Sequence, residues 1–163
     1  MEPPSPTIDV PLVLELFALD TAACTPCVSA MACLHAAAAA LSHELTGSGY
    51  VVATRVILLE NTAHAAELGI RSSPTVRVNG HDIALAVHEE ACPSCSSVAG
   101  VSIDCRTYEW DGQRFDHPPV PLILDAVHQH LASGARRPAT QTLATSQPTS
   151  VERFLTAHGP ARD

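Results

Sequence analysis

The chain has 163 residues, 46% of them hydrophobic, which suits one domain with a sizeable core. It contains no Lys, and nine Arg face seventeen Asp and Glu for a formal net charge of −8. With no basic stripe to neutralise phosphates, nucleic acid is excluded as a partner. No uninterrupted apolar run reaches the ~20 residues of a membrane helix. The start, Met1-Glu2-Pro3-Pro4, has neither a basic n-region nor an apolar h-segment. The expected location is the cytoplasm, with no membrane partner.

Residues 1–9 read as a lead-in. Leu12 to Phe17 is a short apolar run, as in a strand buried on both faces. Asp20 to Ala23 forms a loop that delivers Cys24-Thr25-Pro26-Cys27 to the front of a helix. In that helix Val28, Met31, Leu34, Ala38, Leu41 and Leu45 recur every three or four residues. Pro26 suits the first turn, where its missing N–H costs nothing. Tyr50 to Leu59 is a second strand, and Asn61 or Thr62 caps a short helix ending at Gly69. Thr75 to Val78 alternates like a strand, Asn79-Gly80 signals a hairpin, and Ile83 to Val87 is expected to return as its partner.

Residues 89–117 are less regular. They hold Cys92-Pro93-Ser94-Cys95 in an expected loop, then Val101 to Cys105, then a hairpin turning at Asp111-Gly112. A last helix carries Val120, Ile123, Leu124, Val127 and Leu131 on one face and ends at Gly134. Residues 135–150 are polar and read as linker, followed by a short amphipathic helix over 150–158. The domain is therefore expected over 10–134, with 135–163 as a tail.

Six cysteines, Cys24, Cys27, Cys33, Cys92, Cys95 and Cys105, carry the chemistry, and two of the gaps are Cys-x-x-Cys. In a cytosolic setting that spacing reads as redox or metal chemistry before it reads as a disulfide framework. A helix N-terminus stabilises a thiolate, which makes Cys24 the better attacking sulfur and Cys27 the resolving thiol. Cys92 and Cys95 form a second dithiol, either a relay that exchanges with the first or two ligands of a thiolate metal site, with Cys105 as a third. Cys33 reads as a small core residue. Most His lie on solvated faces; His88, four residues before Cys92, is the one candidate ligand among them. Trp110 reads as packing.

The order of strand, Cys-x-x-Cys at a helix start, strand, helix, Ser-Pro-Thr into a hairpin and final helix resembles the thioredoxin fold. Three segments carry the resemblance: Leu12–Phe17 running into Cys24-Thr25-Pro26-Cys27, the loop Ile70-Arg71-Ser72-Ser73-Pro74-Thr75, and Asn79-Gly80. With its second Cys-x-x-Cys the chain looks like a member of a bacterial branch of thioredoxin-like proteins. The resemblance implies a three-layer α/β fold with a central mixed sheet, into which 89–117 is inserted. It also implies a cis Ser73–Pro74 peptide beside the cysteine pair, with Ser73, Pro74 and Thr75 meeting the substrate.

Two functions follow as expectations. One is thiol–disulfide oxidoreduction by Cys24 and Cys27 on a protein or small-molecule thiol or disulfide, with no cofactor required. The alternative is a thiolate binder of a soft metal or metalloid, of the zinc, mercury or arsenic class, using Cys24, Cys27, Cys92 and Cys95. A third class is an interaction module that keeps a structural zinc.

Overall fold

A computed structural model describes Pro3, residues 9–133 and residues 148–158. Most of the polar stretch read as linker, and most of the lead-in, lie outside the described residues. The first half of the chain builds a mixed sheet from β1 (Val10–Ala18), β2 (Tyr50–Leu58), β3 (Thr75–Val78) and β4 (His81–Asp82), in the order β2-β1-β3-β4. β1 runs parallel to β2 and antiparallel to β3, and β3 is antiparallel to β4. The parallel pair requires a crossover, supplied by α1 (Thr25–Glu44).

Alternation along β1 sorts its side chains. Leu12, Leu14 and Leu16 are fully buried, while Glu15 points the other way, between Arg55 of β2 and Arg77 of β3. α1 packs on β1 and β2 through Ala30, Leu34, Ala37 and Leu41, all without solvent exposure, and also meets α4 (Val120–Ser133). By length and hydropathy α1 matches a membrane-crossing helix. Its buried stripe is here satisfied by the sheet and α4, as in a core helix.

Local chemistry sets the boundaries. Asn61 caps α2 (Thr62–Leu68) by accepting the His64 N–H at 2.8 Å, and Gly69 closes it in the left-handed conformation. Asn79 and Gly80 both take positive φ, 47° and 86°, as a tight hairpin demands. The hairpin's return strand is shorter than expected and falls earlier: only His81 and Asp82 pair, and 83–87 lies outside any strand. The cause is Asp82, whose carboxylate turns the chain by accepting the Ala84 N–H at 2.9 Å and holds Arg106.

The second half forms a separate three-stranded sheet, β5 (His88–Ala91), β6 (Asp104–Trp110) and β7 (Gln113–Phe115), in that order. β6 and β7 turn at Asp111-Gly112, as read from the sequence. Between β5 and β6 lies α3 (Pro93–Ala99), where a loop was expected. Pro93 opens it and Gly100, in the left-handed conformation, ends it, the same start and stop signals that mark α1 and α2. α5 (Ser150–His158) buries Val151, Phe154 and Leu155 and packs against α2 and α3.

Candidate metal centre

Asp20 shapes the entry to the site. One carboxylate oxygen accepts the N–H groups of Ala22 and Ala23, both at 2.7 Å, and so turns the chain into α1. Cys24 is the N-cap residue of α1, but its side chain makes no capping bond. Its sulfur turns instead toward α3. Cys92 is likewise the N-cap of α3, with Cys95 one turn in. The first turns of the two helices face each other, and the Ser94 hydroxyl reaches that of Thr25 at 3.3 Å.

Cys105 arrives on β6. Three bonds clamp α3 onto the approach to that strand: Cys92 N–H to Ile103 O at 2.9 Å, Ile103 N–H to Ser96 Oγ at 2.9 Å, and Ser96 Oγ to Ile103 O at 3.2 Å. The Sγ atoms of Cys24, Cys92, Cys95 and Cys105 all lie within 4.8 Å of one another, and all four residues are buried. Cys95 is central, 3.0 Å from Cys24 and 3.1 Å from Cys105. A disulfide is ~2.05 Å, so these are close thiols rather than bonded ones, and all six cysteines are free.

The cluster divides its protons unequally. Hydrogen bonds from Cys105 and Cys24 bring the Cys95 thiol down to about 6. Cys24 is also lowered, chiefly by Cys105 and then Cys27. Cys105 is raised, because it is the donor to Cys24 and Cys95 and is desolvated. The pocket therefore favours one thiolate, at Cys95, held by the S–H groups of Cys105 and Cys24, while Cys95 in turn opposes a second charge on Cys24. Thiolates are what a soft cation binds.

Cys27 stands apart. It is fully buried, lies 3.5 Å from the Ser73 hydroxyl and is raised by Cys24 and by burial. The sulfur group differs from the expected ligand set of Cys24, Cys27, Cys92 and Cys95 in one member: it holds Cys105 and not Cys27. The reason is β6, which carries Cys105 to the cluster, while Cys27 sits a turn deeper beside Ser73. Cys33 packs against the core as expected. His88, exposed on β5, is outside the sulfur group, and Trp110 is half-buried at the end of β6.

The Ser73–Pro74 peptide is cis, as the resemblance implied. The loop's polar groups are already engaged by the chain itself. Arg106 N–H donates to Ser73 O at 2.8 Å, Tyr108 Oη donates to Pro74 O at 2.6 Å, and Arg106 Nη1 donates to the Thr75 hydroxyl at 3.0 Å. An incoming peptide would meet β6 where Ser73, Pro74 and Thr75 were expected to meet substrate.

Arg106 was not singled out from the sequence. It is 1% exposed and pairs bidentately with Asp82, Nη1 to Oδ2 at 2.8 Å and Nη2 to Oδ1 at 2.9 Å. Its guanidinium also lies over the Tyr108 ring, 4.7 Å from the centroid. No local pattern announces such a pair, because its partners are 24 residues apart.

A family model described as a domain of unknown function, DUF2703, matches residues 12–127, from β1 into α4. The match takes in all four clustered cysteines, the Ser73–Pro74 loop and the Arg106–Asp82 pair, and leaves α5 outside. No curated protein and no solved structure matches the chain. With most of its length covered by that one match, the chain belongs to the DUF2703 family.

Proposed function

We propose that the protein is a thiolate-based soft-metal-binding module in which Cys24, Cys92, Cys95 and Cys105 hold one ion. The observation that carries this reading is the convergence of four buried sulfurs, from two helix starts and a strand, within 4.8 Å. Four cysteine ligands are a common set for tetrahedral zinc, with Zn–S near 2.3 Å and sulfur–sulfur edges of about 3.8 Å. The separations, from 3.0 Å to at most 4.8 Å, bracket that edge. The donor set is all sulfur, which selects zinc, cadmium, mercury or copper(I) over hard cations. With four protein ligands the site is closed, as in structural or storage centres rather than catalytic ones.

The test is metal content and thiol titration on protein purified anaerobically. The expected result is one soft ion per chain, with the four clustered thiols shielded until the ion is removed by a chelator. A metal-free protein that takes up neither zinc nor cadmium when reduced would overturn the reading.

A second reading rests on the 3.0 Å approach of Cys24 to Cys95 and on the lowered Cys24 thiol. In a thioredoxin-like domain these would form an exchange relay. Cys24 thiolate attacks Cys95 in a Cys92–Cys95 disulfide and releases Cys92 thiolate. Cys27, once deprotonated, then attacks Cys24, closes a Cys24–Cys27 disulfide and releases Cys95. A low-molecular-weight or protein disulfide would be the external oxidant. Metal-free protein that cycles these disulfides with such a partner would favour this reading over the first.

A further inference from the structure

A cavity of about 430 Å³ opens between the end of α2, the cis-proline loop and the connection from β4 to β5. Its walls include Arg71, Arg77, Arg106, Ser72, Thr75 and Asp82. None of the four clustered cysteines lines it. In a chain of net charge −8, three of nine arginines converge here. Among the described residues Asp82 is the one carboxylate in the lining, and it is already paired with Arg106.

Arg77 gives the cavity its character. It is half-buried, and its terminal nitrogens donate to the carbonyl oxygens of Leu68 at 2.8 Å and Gly69 at 3.4 Å. Those acceptors are neutral; Asp82 and Glu15 nearby balance the charge only in part, since burial outweighs them, and the guanidinium also lies 5.0 Å from the Phe17 ring centroid. Its cross-strand neighbour Glu15 is bridged to Arg55 at 3.4 Å. Desolvation accordingly lowers the Arg77 pKa. The lining also has apolar members open to solvent: Leu85 is fully exposed and Val87 is 53% exposed. An exposed Leu beside a cationic pocket suits a ligand with an anionic head and an apolar body, and the volume falls in the range of small-molecule sites.

We propose that this cavity binds a small organic anion, with a carboxylate or phosphate held against Arg77 and Arg71 and the apolar remainder against Leu85 and Val87. The site is independent of the metal reading.

The experiment is calorimetric titration of the full chain at constant ionic strength with benzoate, phenyl phosphate and neutral benzyl alcohol. The expected result is single-site, saturable binding of at least one of the two anions and none of the alcohol. The tighter of the two anions identifies the head group. Arg77→Gln should weaken it about tenfold, the loss of one charge-assisted hydrogen bond. Leu85→Glu, at a position with no packing to lose, should weaken it in the same direction and stands as the test should Arg77→Gln fail to fold. Absence of saturable binding by both anions, equal binding of the alcohol, or anion binding unchanged in both variants would overturn the proposal.

Discussion

The backbone N–H of Arg106 donates to the carbonyl oxygen of Ser73 at 2.8 Å. That bond joins the two sheets, which share no strand. It also fixes the height of β6 against the cis-proline loop, so the preceding residue, Cys105, arrives 3.1 Å from Cys95. The Arg106 side chain repeats the attachment through Thr75 and Asp82. One residue thus anchors the second half of the chain to the first and completes the sulfur group.

The energetic weight of this anchor can be measured. Asp82→Ala removes the bidentate partner of a guanidinium that is 1% exposed. Breaking a buried pair from one side costs about 3–5 kcal/mol, because the remaining charge stays desolvated. Since the Asp82 side chain is one-third exposed, the lower end, ~3 kcal/mol, is expected from urea unfolding. A loss within the range of an exposed ion pair, under ~1 kcal/mol, would show that the pair does not hold the halves together.

Proton linkage makes a second prediction for the reduced, metal-free protein. The Cys95 thiol moves from its ordinary 9.0 to about 6 in the fold. Between those values the unfolded chain keeps a proton that the native state has released. Stability from this group is therefore complete above about pH 9 and is lost as the pH falls toward 6. Cys27 and Cys105 are raised and act with the opposite sign. Their contribution is present below 9.0 and lost above it. Urea midpoints should rise between about pH 6 and pH 9 in the parent protein. Cys95→Ser should flatten that rise; an unchanged slope would place the thiolate elsewhere.

Much of this was legible in the sequence, because local signals coincide with the elements they specify. The Leu12–Phe17 run, Asn79-Gly80 and Asp111-Gly112 all do what their patterns require; the α1 stripe does so in part, with Leu34 and Leu41 buried, Val28 exposed, and Ala30 and Ala37 taking the buried face instead. α3 was missed because a seven-residue helix has too few turns to show a periodic apolar stripe. Only its Pro93 and Gly100 boundaries were available, and Cys92-Pro93-Ser94-Cys95 drew the eye as a motif rather than a helix start. The candidate cluster was half legible. Two Cys-x-x-Cys pairs suggest a joint site, but the choice of Cys105 over Cys27 follows from β6 lying beside the cis-proline loop. That is a long-range placement with no mark in the local sequence.

α5 lies outside the family match yet supports α3, which gives a third prediction. Phe154 is 1% exposed, and its helix packs on α3 and α2. The Ser150 hydroxyl also bonds the Glu89 carboxylate, in the strand just before α3. Phe154→Ala removes an anchor worth about 3–5 kcal/mol. The loss should appear locally, as α5 releases α3. In reduced, metal-free protein, iodoacetamide should then label Cys92 and Cys95 faster than in the parent, while Cys27, buried in the first turn of α1, keeps its protection. Equal acceleration at Cys27 would indicate general destabilisation instead.

The last prediction separates the two ligand sets that the cysteines allow. Read as paired motifs, the set is Cys24, Cys27, Cys92 and Cys95; read as geometry, it is Cys24, Cys92, Cys95 and Cys105. Serine is nearly isosteric with cysteine and binds soft ions poorly, so Cys27→Ser and Cys105→Ser differ mainly in which sulfur is lost. Cys27 sits beside the Ser73 hydroxyl and is held as a neutral thiol. Serine keeps an O–H donor toward Cys24, so replacing Cys27 should change zinc affinity by less than ~10-fold in a chelator competition. Cys105 lies 3.1 Å from Cys95 within the group. Losing even an outer-shell partner costs ~10–100-fold in metal affinity, so losing this ligand should cost at least ~100-fold. Cadmium-loaded protein should agree, with the thiolate charge-transfer band kept in Cys27→Ser and diminished in Cys105→Ser. The reverse pattern would restore the paired-motif set. It would also mean that β6 moves away from the cis-proline loop when the ion binds, which a change in amide-exchange protection at Arg106 would reveal.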